Sequence, residues 1–186
     1  MYKTKSLKKY ADDLAARLPA PGGGSAAAVA ACLGVSLISM VINFTIGKPK
    51  YAAFERSLIK TLDASEKLRK RLMELVDLDV VAYQSKDAKK ALGVPLEIAH
   101  RAAEAMSLCP DLVVRSNRNL ISDVAVAVCL LESAFAAAVV NVDINLKYLA
   151  DAKLSKKLRR EMAKKSLRVK KIRVTIEEKV NAIIRG

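Results

Sequence analysis

Apolar residues recur along this chain at three- and four-residue spacing, and no stretch alternates strictly enough to read as a strand. The first helical segment runs from about Leu7 to Leu18 and stops before Pro19. The second covers about 25–45 and is free of charge from Ala26 to Phe44. Gly47 and Pro49 separate it from a third, about 50–91, with apolar positions at Phe54, Leu58, Leu62, Leu68, Leu72, Val76 and Tyr83. Gly93 and Pro95 punctuate the chain before a helix of about 95–108 that ends near Pro110. A short segment through 111–121 leads to Ser122, whose hydroxyl suits the N-cap of a long helix to about Ala150. The last segment carries Leu154, Leu158, Met162, Val169, Ile172, Ile176, Val180 and Ile183 at helical spacing, with a break expected near Arg168–Lys171. This pattern predicts one all-α domain over 1–186, a bundle of about five to six helices with short connections.

Composition sharpens that picture. The chain is 52% hydrophobic but only 4% aromatic, with no Trp, so Ala, Val, Leu and Ile must build the core. Such shallow faces pack closely, and they commonly complete their burial by oligomerising. Cys32, Cys109 and Cys129 sit singly in apolar surroundings and read as small core residues of a cytoplasmic protein. The N-terminus is polar and basic, without the apolar run of a signal peptide. Residues 26–44 are long enough to test as a membrane span, but Ala, Ser, Gly and Asn dilute them, and 124–142 carries Glu132. Both read as buried helices, and no membrane association is expected.

The net charge is +14 and unevenly spread: residues 153–186 hold 13 Lys and Arg against three Glu. The apolar positions of this segment give it one docked face, leaving the basic face in water. A solvated face, steering of anionic substrates and binding of RNA or another acidic partner all fit that face.

Candidate chemistry begins with Pro-Ala-Pro-Gly-Gly-Gly-Ser at 19–25. Gly22, Gly23 and Gly24 expose backbone N–H groups and permit close approach. Ser25 suits an N-cap, so the loop opens onto a helix start, where carboxylates and phosphates bind. Ala26, Ala30 and Gly34 then form a smooth ridge for a tight helix crossing. On the third segment Leu72, Val76, Asp79 and Tyr83 share one stripe, which aims the Asp79 carboxylate into the core, while Asp77 faces away. A carboxylate so placed loses hydration, its pKa rises, and it can hold and pass on a proton. It can equally cap a neighbouring helix or pair with a cation. Asn141 and Asn145 lie one turn apart on an alanine-rich face that also carries Asp123. Amides there can read a heterocycle or tie two helices together. Asp123 and Asn141 are about 27 Å apart along an ideal helix, so only a symmetric dimer would bring both near one pocket. His100 is the only histidine, and no cluster has metal-ligand or catalytic-triad spacing. The glycine run lacks the Gly-Lys-Ser/Thr ending of a phosphate loop.

Taken together these segments resemble the cyclodeaminase family, which includes the C-terminal domain of formiminotransferase-cyclodeaminase and stand-alone methenyltetrahydrofolate cyclohydrolases. The matching pieces are 19–25, Met40-Val-Ile-Asn-Phe-Thr45, Gly47-Lys48-Pro-Lys50-Tyr51, Asp79-Val-Val-Ala-Tyr83, Asn117-Arg-Asn-Leu-Ile-Ser-Asp123 and Asn141-Val-Asp-Ile-Asn-Leu146. They span about 7–158 in the family's order. The resemblance implies an all-helical homodimer with a tetrahydrofolate site near the subunit contact, polyglutamylated forms included, and no further cofactor or metal. It implies that Asp79 is the catalytic aspartate and that the glycine loop and Ser25 line the site. Lys48, Lys50 and Arg118 are candidates for the glutamate carboxylates of folate, and Asn117, Asp123, Asn141 and Asn145 are further candidate substrate contacts. The implied reaction is cyclisation of 5-formiminotetrahydrofolate with loss of ammonia, the alternatives being methenyltetrahydrofolate hydrolysis or a non-catalytic dimer. Two features depart from the family pattern. The chain between Asp79 and Pro95 is shorter, which would open one wall of the site, and the C-terminal segment is more basic.

Overall fold

In the computed structural model, which describes Met1–Gly186, the chain is all helical. Seven α-helices run α1 (Leu7–Ala15), α2 (Gly23–Asn43), α3 (Glu55–Gln84), α4 (Ala88–Met106), α5 (Cys109–Arg115), α6 (Ile121–Leu149) and α7 (Ala152–Arg185), with short 3-10 turns at Tyr2–Thr4, Pro49–Phe54 and Arg118–Leu120. The all-α bundle is as expected; the short α5 adds a helix to the five to six anticipated, and the break between α3 and α4 falls at 85–87 rather than at Gly93–Pro95. Five long helices carry the architecture.

α2 is the central element, packed between α3 and α6, and α4 closes a four-helix bundle against α6 and α3. α7 lies along α6 on the outside, touching α5 and α4. One cluster of 34 buried residues unites the bundle, rich in Ala, Val, Leu and Ile as composition requires. Although α2 is long and apolar enough to cross a membrane, 61% of its most apolar stretch is buried inside the molecule; for α6 the figure is 39%.

Several boundaries differ from expectation for identifiable reasons. The third segment is not one helix: a 3-10 turn precedes α3, and Ser85–Asp87 turns the chain into α4, where Asp87 accepts hydrogen bonds from the N–H groups of Lys89 and Lys90. α4 then runs straight through Gly93 and Pro95, and Pro95 is buried. Pro95 has no N–H for the Ala91 carbonyl four residues back. That carbonyl instead accepts the Asn145 side-chain amide from α6 at 2.9 Å, which lets the helix continue. Pro110 opens α5 rather than closing a helix, in keeping with proline's fit to a first turn. α6 starts at Ile121, so Ser122 is not its cap; Asn117 caps the preceding 3-10 turn instead. α1 stops at Ala15, and α7 is unbroken through Arg168–Lys171.

Among the cysteines, Cys32 and Cys109 are buried but Cys129 is exposed, its thiol donating to Glu177 at 3.2 Å. Of the expected small-residue ridge, only Gly34 meets a neighbouring helix closely. A Cβ there would lie 2.9 Å from Leu131 and 3.2 Å from the Ala127 carbonyl on α6. Ala30 and Ala26, one and two turns earlier on the same side of α2, remain half-exposed.

Candidate active site

Four helix ends converge on one pocket of about 270 Å³: the first turn of α2, the last turns of α3, the first turn of α4 and the last turns of α6. Gly22, Gly23, Gly24, Asp79, Asn141 and Asn145 all line it. The glycine loop reaches it because α2 starts earlier than expected, at Gly23 with Gly22 as N-cap. Ser25 is therefore inside the helix, fully buried behind the pocket. Its hydroxyl donates to the Val76 carbonyl on α3 at 3.0 Å and accepts the Tyr10 hydroxyl of α1 at 3.1 Å.

Asp79 supplies the cap that Ser25 does not. Its Oδ2 accepts the Ser25 N–H at 2.8 Å, so a carboxylate from α3 closes the first turn of α2 from outside. This contact depends on Gly24. A Cβ at that position would stand 2.1 Å from Asp79 Oδ1 and 2.6 Å from its Cγ, so no other residue leaves room for the carboxylate. Asp79 is half-buried, and burial pushes its carboxyl above the ordinary value while the Ser25 N–H pulls the other way. The N–H groups of Gly23 and Gly24 precede the first i−4 bond, from Ala26 to the Gly22 carbonyl, and remain as donors beside it.

Asp77 is a correction. It does not face solvent but is buried, at 4% exposure. Its carboxylate accepts the N–H groups of Tyr2 and Lys3, pinning the N-terminal turn across α3. Two carboxylates two residues apart thus cap two different segments, and only that of Asp79 opens onto the pocket.

On α6 the two amides play both roles that the sequence leaves open. Asn145 ties α6 to α4 through the Ala91 carbonyl, and its amide also donates to the Asn141 carbonyl at 2.8 Å. The Asn141 amide donates to the Ala137 carbonyl at 2.9 Å. Both N–H groups of Asn145 and one of Asn141 are engaged inside the protein, so both side chains offer carbonyl oxygens to a ligand and Asn141 offers one N–H as well. Tyr83 and Tyr148 flank the mouth at 61% and 73% exposure, and Ile144 lies between. These three were not among the sequence candidates. Carrying the Asn141–Asn145 line one turn further along α6 reaches Tyr148, the signal that would have found it.

The remaining candidates lie elsewhere. Lys48, Lys50, Asn117 and Arg118 sit beyond the far end of α2, and Asp123 in the first turn of α6. Asn117 is fixed there by its N–H to Thr45 Oγ1 at 2.9 Å. Within one chain these residues do not meet the pocket. No group of three or more His, Cys, Asp or Glu side chains comes together as a metal site would require. His100 faces Glu161 at 2.8 Å, between α4 and α7.

Fold and site together define an all-helical bundle with a half-buried carboxylate over a glycine-rich helix start. The sequence pattern described as formiminotransferase-cyclodeaminase matches residues 6–88 and 84–164, and the chain belongs to that family. It is 31% identical to a methenyltetrahydrofolate cyclohydrolase from Methylorubrum extorquens, covering 97% of this chain and all of that one. It is 28% identical to the formimidoyltransferase-cyclodeaminase of Rattus norvegicus over 85% of this chain, but spans only 34% of that longer protein. The crystal structure of formiminotetrahydrofolate cyclodeaminase from Thermotoga maritima superposes with a TM-score of 0.84 at 27% identity, covering 100% of this chain and 98% of that one. The two family segments meet at 84–88, the short α3–α4 turn that borders the pocket.

Proposed function

We propose that this chain is a folate one-carbon enzyme, a formimidoyltetrahydrofolate cyclodeaminase, with Asp79 as its proton shuttle. The observation that carries the reading is the seat of Asp79: one oxygen is held by the Ser25 N–H, and the residue lines the pocket. In 5-formiminotetrahydrofolate, N10 attacks the formimino carbon, and a pocket that fixes both atoms supplies the orientation. The N10–carbon bond forms while the carbon–nitrogen double bond opens. Asp79 Oδ1 takes the N10 proton and passes it to the former imine nitrogen. One further proton from solvent takes that nitrogen out as ammonia, leaving 5,10-methenyltetrahydrofolate. A carboxyl group held above its ordinary pKa is suited to both halves of this relay. The Asn141 and Asn145 carbonyl oxygens and the Gly23 and Gly24 N–H groups complement a pterin edge, and Tyr83 and Tyr148 offer faces for its ring.

A second reading is hydrolysis of the methenyl compound to 10-formyltetrahydrofolate, with water as nucleophile in the same pocket. The end-to-end match with the Methylorubrum cyclohydrolase favours it. Supplying purified protein with each folate, and following methenyl absorbance and ammonia release, separates the two. In either case Asp79→Asn should lower turnover by about 100-fold or more while folate binding persists. Retained turnover, or equal loss of binding, would remove Asp79 from the chemistry.

The functional unit in this reading is a homodimer. The pocket, about 270 Å³, is at the small end for a cofactor-sized ligand, and a second copy packed against it would enlarge and close it. On α2, Ala26, Ala30, Leu33, Leu37, Met40 and Phe44 stand at alternating four- and three-residue spacing, all partly exposed, with Leu33 at 53% and Phe44 at 58%. That is the seam of a two-helix contact. A two-fold axis perpendicular to α2 would set the Phe44 end of one copy beside the glycine loop of the other. Lys48, Asn117 and Asp123 would then approach the pocket from across the interface.

A further inference from the structure

α7 docks on the bundle through a buried stripe that includes Met162, Val169 and Ile176, and it turns its other side to solvent. Between Lys153 and Lys171 that outer side is a ridge of exposed cations. Lys153, Arg160, Lys164 and Lys171 run along its crest. Lys156 and Lys170 lean to one flank, and Lys157 and Arg168 to the other. On an ideal helix the ridge is about 27 Å long. The carboxylates nearest to it are engaged elsewhere. Glu161 faces His100 of α4 at 2.8 Å, Asp143 pairs with Arg159 at 2.8 Å, and Glu104 pairs with Arg101 at 2.9 Å. Glu132 and Glu177 both meet Arg173, and Asp151 caps α7 by accepting the Leu154 N–H at 2.8 Å.

This arrangement works against the helix that carries it. Lys153 and Lys157, Lys156 and Arg160, Arg160 and Lys164, and Lys164 and Arg168 each stand four apart, where like charges repel. The first turn of α7 holds no acidic residue, so its lysine also opposes the helix dipole. A face that served solubility alone would intersperse the two signs. A polyanion laid along the ridge relieves these repulsions. We propose that the outer face of α7 is a docking surface for duplex DNA, held through its phosphates without sequence preference. Three features select that partner. B-form DNA carries one charge per about 1.7 Å, and its major groove, about 12 Å wide, admits a helix whose flanking cations reach the phosphates of both strands. α7 has no aromatic residue, so it lacks the stacking platform that single strands use. Its apolar stripe is buried against the bundle, and Leu167 is the one large apolar side chain exposed on the ridge. That leaves neither a face to insert into a membrane nor the anchors of a protein interface. None of the ridge residues lines the Asp79 pocket, so the proposal stands apart from the folate reading.

Fluorescence anisotropy of the full chain with a labelled, mixed-sequence DNA duplex of about 20 base pairs, over a range of salt concentrations, tests it. The duplex should bind at about 50 mM salt and be released steeply as salt rises. Combining Lys157→Gln, Lys164→Gln and Lys171→Gln should weaken binding at least about tenfold and reduce the slope of log affinity against log salt by about two to three. The same variant should melt no lower than wild type, because it removes repulsion within α7. If it melts early, Lys164→Gln alone should still reduce the slope by about one. A charge-matched variant with Lys60→Gln and Lys70→Gln on α3 and Lys179→Gln at the far end of α7, all exposed, should stay within about threefold of wild type. Failure to bind the duplex, or an equal loss in the charge-matched variant, overturns the proposal. So does binding of a single strand, an RNA duplex of the same sequence or phosphatidylserine vesicles as tightly as the DNA duplex.

Discussion

At Gly24 the missing Cβ is what admits the Asp79 carboxylate to the first turn of α2. Gly24→Ala would place a methyl group 2.1 Å from Asp79 Oδ1, so the carboxylate must leave and the Ser25 N–H loses its acceptor. Turnover should fall about as far as in Asp79→Asn, by about 100-fold or more. Gly93→Ala is the control, since nothing lies within 4 Å of a Cβ there and the residue sits on α4 outside the pocket lining, so that variant should stay active. Side-by-side kinetics of the two variants decide the point. Asp79 also sets a pH dependence of stability. Because burial raises its carboxyl above 3.8, the folded chain keeps this proton at pH values where the unfolded chain has released it. Stability from this group is therefore full below the unfolded value and is lost as pH rises through the raised folded value. Asp79→Asn should melt no lower than wild type at neutral pH, and any advantage should vanish below about pH 4 in thermal scans. Asp79 was legible in the sequence because its position on an apolar stripe is a matter of periodicity alone. Asp77 was not, because the backbone it caps belongs to the N-terminal turn, more than 70 residues away in sequence.

Between elements, the pairing of Pro95 with Asn145 shows how a proline can lie inside a helix without ending it. Asn145→Ala would strand the Ala91 carbonyl in a half-buried position, a loss of about 1–3 kcal/mol. Restoring the N–H with Pro95→Ala lets α4 make that bond itself. The cost of Asn145→Ala should then shrink by about 1 kcal/mol in the Pro95→Ala background. Denaturant unfolding of the four proteins in this cycle measures the coupling, and additive losses would show that the contact carries no weight. Sequence periodicity recovers α2, α6 and the docked face of α7, because their apolar spacing is long and regular. It fails at Gly93 and Pro95, where the compensating donor comes from another helix and leaves no local trace. It fails again at 85–87, where apolar spacing continues across a turn that only the Asp87 cap betrays.

At the scale of the molecule, the chain buries its polar chemistry well but leaves α2 with an apolar seam in water. Half of the candidate site is assembled within one protomer: the glycine loop, Asp79, Asn141 and Asn145. The basic and polar residues at the far end of α2 are not, because charge and motif order carry no distances. Both facts have one physical resolution if two copies pack along α2 in opposite directions. The seam is then buried, and the far end of each copy lies against the pocket of the other. Leu33 sits at its middle, so Leu33→Glu would bury two unpaired carboxylates across the two-fold axis. Sedimentation should show a dimer for the wild-type chain and a shift toward monomer, by about 100-fold or more in dissociation constant, for Leu33→Glu. Its turnover should fall in parallel, although Asp79 is untouched, and recover in part at high protein concentration. A wild-type chain that sediments as a monomer yet turns over folate would mean that one protomer's pocket suffices. In that case the seam on α2 would need a different partner.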